Sequence, residues 1–568
     1  MFLQKARLAL ALNSFLLLSI TAQSQQINAY NYTIQKNLSG INGAVVSAHA
    51  LASEAGARML TLGGNAFDAA IATQLALAVV YPNAGNIGGG GFLVAHLKTG
   101  QNISIDYRET APYRASKDMY LDANGNPQMK LSQDGHLSAG VPGTVAGIFA
   151  TMKYAKLPIK TLINPAIQFA EKGFAITEAQ AKILNDTRND FIRLNTKSPV
   201  FVKNDPWKKG DTLIQKDLAN TLKRIRDMGA KGFYSGVTAD LIVKEMEKGK
   251  GIITKADLAG YSAKTRVAIN FNYHGYSIIT MPLPSSGGII LEQMLRMISK
   301  RNIGAMKFES PQSVQLMTEV ERRAYADRAK FLGDPDFVKV PVKTMVQEKY
   351  LTERMNDYDQ SKAGSSVLTG AGNIPESEET THLSVLDKFG NAVSVTTTLN
   401  GSFGSRTIVT GAGFILNNEM DDFSVKPGVP NMYGAVGTTA NAIAPHKRML
   451  SSMTPTIVLK NNKPYLVLGT PGGTTITTSV FQTIVDILDF NMSIDDAVNK
   501  PKFHHQWLPD ELFIEKGFPA DVKTELANMG YKITERSSIG RTEVIRVISR
   551  NKIQATADKR GDDSSAGD

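Results

Sequence analysis

The stretch Glu379-Thr380-Thr381-His382-Leu383-Ser384-Val385-Leu386-Asp387-Lys388-Phe389-Gly390-Asn391-Ala392-Val393-Ser394-Val395-Thr396-Thr397-Thr398-Leu399-Asn400 decides how the rest of the chain is read. It divides into two β-rich runs around a turn at Asp387 to Asn391, where Gly390 and Asn391 tolerate positive φ. A hairpin centred on Phe389 sets Thr380 opposite Thr398. Side chains alternate along a strand, so Leu383, Val385, Val393 and Val395 share an apolar face. Thr380, His382, Ser384, Ser394, Thr396 and Thr398 share a polar one. Directly opposed side chains stand about 5 Å apart at Cβ, within reach of hydroxyl contact. One dry face and one hydroxyl-lined face on a strand pair suggest an active site. The pattern alone equally permits plain cross-strand threonines, which are common in sheets.

Thr-Thr-His-x-Ser-Val from Thr380, followed by Gly-Asn-Ala-Val-x-Val-Thr-x-Thr-Leu-Asn from Gly390, resembles the γ-glutamyltransferases (γ-glutamyltranspeptidases). The resemblance runs from about Gly43 to Asp510 in long ungapped motifs. It implies an α/β fold, the four-layer αββα sandwich of the N-terminal-nucleophile hydrolases, formed jointly by two subunits of one precursor. It also implies self-cleavage between Glu379 and Thr380, with Thr380 catalytic.

The chemistry explains why cleavage is needed. A threonine hydroxyl is a poor nucleophile without a base beside it, and an α-amine of pKa near about 8 is such a base. Thr380 owns that amine only as the first residue of a chain. Its hydroxyl can attack the Glu379 carbonyl in an N-to-O acyl shift that hydrolysis completes, and Thr398 would orient the hydroxyl or amine. Acyl transfer also requires donors aimed at a developing oxyanion. Gly472 and Gly473 lie between a strand and a helix start, where N–H groups and the helix dipole favour negative charge. Pro-Gly-Gly is otherwise an ordinary turn, and the resemblance is what places the oxyanion hole there.

The substrate implied is a γ-glutamyl group, whose free end carries a carboxylate and an ammonium. By residue-for-residue match, Arg108 takes the carboxylate, with Ser451 and Ser452 as hydroxyl donors. Glu419, Asp422 and the Asn400 side-chain oxygen take the ammonium. From the residues alone, an ordinary Arg–Glu pair is also open. Tyr433, in the loop Pro430 to Asn441, matches the aromatic tip of a lid over the site. His382 is assigned hydrogen-bond support rather than general-base work. His504 and His505 adjoin and so diverge, and His446 and His49 have no partners at ligand spacing; neither a metal nor a cofactor is expected.

Composition limits the alternatives. The chain has 568 residues, enough by length alone for about three or four domains. Hydrophobic content of 42% and charged content of 20% describe an ordinary globular protein. A net charge of +11 is spread over short clusters with no aromatic interleaving, which argues against nucleic acid. The absence of cysteine excludes disulfides and thiolate chemistry. Lys5 and Arg7, the apolar run Leu8 to Ile20 and Ala22-Gln23-Ser24 read as a secretory signal peptide, hence a periplasmic or secreted protein with no stable membrane span after its removal; a retained N-terminal membrane anchor is the alternative.

Along the chain, Ala44 to His49 reads as a strand and Ala52 to Leu62 as a helix. Asn65 caps a second helix, Ala66 to Val80. The glycines at 88–91 read as close backbone packing rather than a phosphate loop. Helices are expected at 164–172, 177–194, 216–228, 238–248, 289–299, 312–331 and 344–357, with a β interlude near Val267 to Met281. Ser361 to Glu379 reads as a mobile connector. Phe414 to Leu416 reads as a strand, Thr456 to Leu468 as a hairpin and Thr475 to Leu488 as a helix. Lys559 stands where the family pattern has proline.

The resulting expectation is a signal peptide at 1–24, a large subunit at 25–379 and a small subunit at 380–568, associated as a heterodimer. Glutathione or a related γ-glutamyl compound would donate, and water or an amino-acid or peptide amine would accept. Two rivals are a glutaryl-amide (cephalosporin) acylase of the same superfamily, which needs no ammonium site, and an uncleaved periplasmic binding or scaffold protein.

Overall fold

The computed structural model describes residues 27–366 and 380–568. The signal peptide, Glu379 and most of the connector before it lie outside the described residues. The connector's described start is anchored rather than loose: Gly364 donates its N–H to Glu319, and Ser366 donates its N–H to Asp510.

The hairpin forms in the expected register. Strand Thr380–Asp387 pairs antiparallel with Ala392–Thr398, from Thr380 opposite Thr398 to Leu386 opposite Ala392. Asp387 makes the turn. Its carboxylate accepts from the N–H groups of Phe389 and Asn391 at 2.8 and 2.9 Å. It also accepts from the N–H of Ala66 at 2.9 Å, joining the turn to the start of helix Ala66–Val80. Asn65 closes that helix start with a full capping box.

Two seven-stranded sheets result. The first runs Ser564–Gly567, Gly43–Ser47, Thr380–Asp387, Ala392–Thr398, Gly90–His96, Asn102–Asp106, Lys264–Arg266. The second runs Asn37–Gly40, Lys552–Thr556, Glu543–Ser549, Lys463–Gly469, Thr456–Lys460, Tyr276–Thr280, Ile269–Tyr273. Every neighbouring pair in both is antiparallel. The hairpin's apolar face (Leu383, Val385, Val393, Val395) packs on Leu51, Ile71 and Leu75 of the helices outside the first sheet. Val458, Leu466 and Leu468 of the second sheet pack on helices Gly287–Ile298, Pro311–Phe331 and Thr475–Leu488. Val46, Phe92, Ile279, Ile457 and Val467 fill the space between the sheets. The fold is a four-layer αββα sandwich, not the several separate cores that length alone permits.

The hairpin's polar face is mostly not an open active-site wall, because it faces the second sheet. His382 lies where Gly469 has no side chain, and a Cβ there would sit 2.2 Å from the His382 ring. The ring contacts Thr396 Oγ1 at 2.9 Å and Ser384 Oγ at 3.1 Å. Ser384 and Ser394 donate to the carbonyls of Glu543 and Leu468. These hydroxyls satisfy buried polar groups between layers, and only the strand ends reach a cavity.

Other expectations shift in detail. The helices read at 177–194 and 344–357 are each two shorter ones, Glu178–Asp186 with Arg188–Leu194 and Val342–Met345 with Glu348–Arg354. Phe414 to Leu416 contributes an isolated bridge, Ile408 to Ile415, rather than a strand. Lys559 uses the N–H that a proline would lack, donating it to Asn499 Oδ1 at 3.0 Å.

The glycine run packs as expected. A Cβ at Gly88 would lie 2.1 Å from the Ile415 carbonyl oxygen, and one at Gly89 would lie 2.0 Å from that of Thr398. Gly89→Ala must therefore push back the strand end carrying Thr398, at a cost of about 1–3 kcal/mol for overpacking. Urea unfolding should show that loss, and a wild-type midpoint would contradict the contact.

Candidate active site

Thr380 begins its strand, and its position there is unusual. The neighbouring strand Gly43–Ser47 pairs only from Leu383 onward, so Thr380 to His382 are laddered on one side alone. Thr380 and Thr398 open onto one small cavity lined also by Arg108, Asn400, Asp422, Tyr433, Ser451, Ser452 and Gly473. Thr398 Oγ1 accepts the N–H of Asn400 at 2.7 Å, which leaves its own proton to donate elsewhere. Asn400 holds φ +75°, a left-handed conformation that asparagine tolerates.

Arg108 leaves the end of strand Asn102–Asp106 and is fully buried. The structure brings it together with the acidic residues assigned to the ammonium, in direct contact. Nη1 lies 2.6 Å from Glu419 and 3.6 Å from Glu109, and Nη2 bonds Asp422. Burial works against the arginine's charge, and the three carboxylates outweigh it. The same burial pushes Glu419 well above its usual range and Glu109 up to about 8, with Arg108 opposing both shifts. Asp422 is raised for the same reason and against the same opposition.

Tyr433 closes the cavity. Its hydroxyl donates to the Asn400 carbonyl, and its ring lies over Gly473, where a Cβ would be 2.6 Å away. The loop that carries Tyr433 is held in place: Asp421 accepts the N–H of Met432 at 2.9 Å, and Asn431 donates to Asp422 at 3.1 Å. Gln506 donates to the Tyr433 carbonyl at 3.2 Å. Gly472 and Gly473 adopt φ +132° and +53°, and helix Thr475–Leu488 starts two residues on. Such backbone strongly favours glycine. The Gly472 carbonyl accepts the N–H of Thr475 at 2.9 Å, which ties the pair to the start of that helix.

His382 is pushed down to about 3 by burial, so it is neutral, and its contacts are with Thr396 and Ser384. His504 and His505 point to different partners, Thr478 and Asp510. Glu379 lies outside the described residues. Sequence reasoning missed Arg328 and Asn431, which line the same cavity. Arg328 carries no sequence signal, being one cation on a long helix.

A four-layer αββα sandwich with a threonine starting a central strand beside a small polar cavity is the architecture of the N-terminal-nucleophile hydrolase class. The sequence profile described as gamma-glutamyltranspeptidase matches residues 52–568, and the chain belongs to that family. It is 45% identical over 531 residues to the glutathione hydrolase proenzyme of Escherichia coli (strain K12), with 92% of each chain covered. A crystal structure of Helicobacter pylori γ-glutamyltranspeptidase matches 60% of this chain and 99% of that one, at 44% identity and TM-score 0.54. A cephalosporin acylase from Bacillus halodurans matches 94% of this chain and 98% of that one, with TM-score 0.82 at 25% identity. The overall fold is thus shared with acylases, whereas the higher identities lie with γ-glutamyl enzymes.

Asp421, which holds the lid backbone, is pushed up to about 7 by burial, against a hydrogen bond from Ser132. In the unfolded chain it titrates near about 3.9. Its contribution to stability is therefore fullest below that value and is lost as pH rises through about 7. Asp421→Asn should make the unfolding free energy fall less steeply than in wild type across this window. Equal slopes in urea titrations would refute the shift.

Proposed function

We propose that the chain cleaves itself before Thr380 and then works as a γ-glutamyltransferase and glutathione hydrolase through that residue. The observation that carries this reading is the pairing of Thr380 with Thr398 at the mouth of a pocket walled by an Arg108–Asp422 ion pair and floored by Gly473.

The γ-glutamyl end is a zwitterion, and the pocket already contains one ion pair of matching sense. On entry, the substrate carboxylate takes Arg108 and the Ser451–Ser452 hydroxyls, while its ammonium takes Asp422, Glu419 and Asn400. The new Thr380 α-amine accepts the hydroxyl proton as Oγ1 bonds to the γ-carbonyl carbon. Gly472 and Gly473 N–H groups hold the oxyanion. Collapse breaks the C–N bond, the leaving amine takes the proton, and a γ-glutamyl ester remains. Water or an acceptor amine then attacks the ester by the reverse proton path.

The sandwich supports association of the two fragments after cleavage. Among the described residues, five ladders join a strand from before Thr380 to one after it, two of them on Gly43–Ser47 alone. A periplasmic or secreted location rests on the signal-like first residues. No helix among the described residues is long and apolar enough to cross a membrane.

Wild-type protein should run as two bands, the smaller with Thr380 at its N-terminus by sequencing, and Thr380→Ala should run as one band without γ-glutamyl-anilide hydrolysis. Cleavage at that bond in the alanine variant would refute the mechanism. Against a glutaryl acylase, Asp422→Asn should reduce kcat/KM for γ-glutamyl anilide at least about tenfold relative to glutaryl anilide, as loss of a charge-assisted bond predicts. Equal losses on both would favour the acylase.

A further inference from the structure

The cavity holds a second guanidinium that this scheme leaves without a role. Arg328 lies near the end of helix Pro311–Phe331 and is 8% exposed. Its donors go to two hydroxyls: Nε to Ser286 Oγ at 3.1 Å and Nη2 to Ser452 Oγ at 3.2 Å. Among the described residues no carboxylate forms an ion pair with it, and Asp422 acts on it only at longer range. A buried cation without a directly paired carboxylate is costly and is stabilised by an incoming anion. Arg108, in the same cavity, has three carboxylates around it. The two arginines therefore differ in what they can still accept.

The hydroxyls next to Arg328 are set by it. Because Ser452 Oγ accepts from Arg328, its proton is left to be donated. Ser451 Oγ accepts the N–H of Met453 at 3.2 Å and is left as a donor in the same way. Ser286 Oγ accepts from Arg328 and donates to the Ser451 carbonyl at 2.7 Å, so the cation also fixes the backbone that carries both serines. A guanidinium that turns a serine into a donor and adds positive charge behind it builds an anion site.

We infer that Arg328 is a positioning and specificity residue for the substrate's α-carboxylate, acting through Ser452 and Ser286. This rests on the γ-glutamyl reading above. The carboxylate then lies between two cations, and the ammonium is left to the carboxylates around Arg108. A donor lacking the α-carboxylate has no use for Arg328.

Two anilides separate the possibilities. L-γ-Glutamyl-p-nitroanilide and 4-aminobutyryl-p-nitroanilide differ only in that carboxylate. Arg328→Gln should lower kcat/KM for the γ-glutamyl compound about tenfold or more, chiefly through KM, as loss of a charge-assisted contact implies. For the 4-aminobutyryl compound it should stay within about twofold, and Arg328→Lys should restore part of the γ-glutamyl preference. Inhibition of γ-glutamyl-anilide hydrolysis by L-glutamate and by 4-aminobutyrate gives the same comparison where the second anilide turns over slowly. An equal loss on both compounds, or failure of both variants to self-cleave, overturns the inference in favour of a structural role. A wild-type enzyme inactive on γ-glutamyl anilide would overturn the underlying reading instead.

Discussion

The backbone pairing of Thr380–Asp387 with Ala392–Thr398 is the constraint on which the rest depends. It occupies the middle of the first sheet, so neither strand can shift without moving Gly43–Ser47 or Gly90–His96. A one-residue slip would exchange the two faces. Leu383 and Val385 would then turn toward Gly469 and Glu543, and His382 would enter the helix layer. Both packings thus enforce the one register that sets Thr380 opposite Thr398. The placement of Thr380 against Thr398 is held by the cores on either side rather than by contacts within the cavity.

Charge is handled more locally. One arginine among three carboxylates leaves more acid than base in a dry place, and the raised values of Glu109, Glu419 and Asp422 are the response. Such a cluster favours a ligand that brings charges of both signs, because each charge finds a partner and the net balance is unchanged.

How much the sequence discloses depends on the range of the interaction. The hairpin register, the Asn65 cap and helix Thr475–Leu488 are set within a few residues, and all three stand where the pattern puts them. The glycines at 88–91 were legible as close packing, although their partners, Ile415 and Thr398, lie far along the chain. The polar face of the hairpin misled, because alternation says which residues share a face but not what that face meets. His382, read as hydrogen-bond support, gives it between the layers, to Thr396 and Ser384. Arg108 was legible through the family resemblance, and its three-carboxylate surroundings were not. Arg328 carries no local signal, since only the crossing of helix Pro311–Phe331 over the Ser451–Ser452 turn brings it to the pocket.

The cut proposed before Thr380 depends on the same interleaving of distant strands. Breaking the chain before Thr380 severs a connection between elements that are already paired through other strands. The segment before the cut supplies Gly43–Ser47 and Gly90–His96 on either side of the hairpin, and the segment after it supplies the hairpin and the outer strand Ser564–Gly567. Neither segment completes either seven-stranded sheet, so separating them would expose the ladders and apolar faces of both at once. That cost is far larger than the entropy gained by releasing one connector, which grows only with the logarithm of its length. A fold interleaved in this way can give up a peptide bond at its centre and keep the new chain end in position, where its amine lies beside its own hydroxyl.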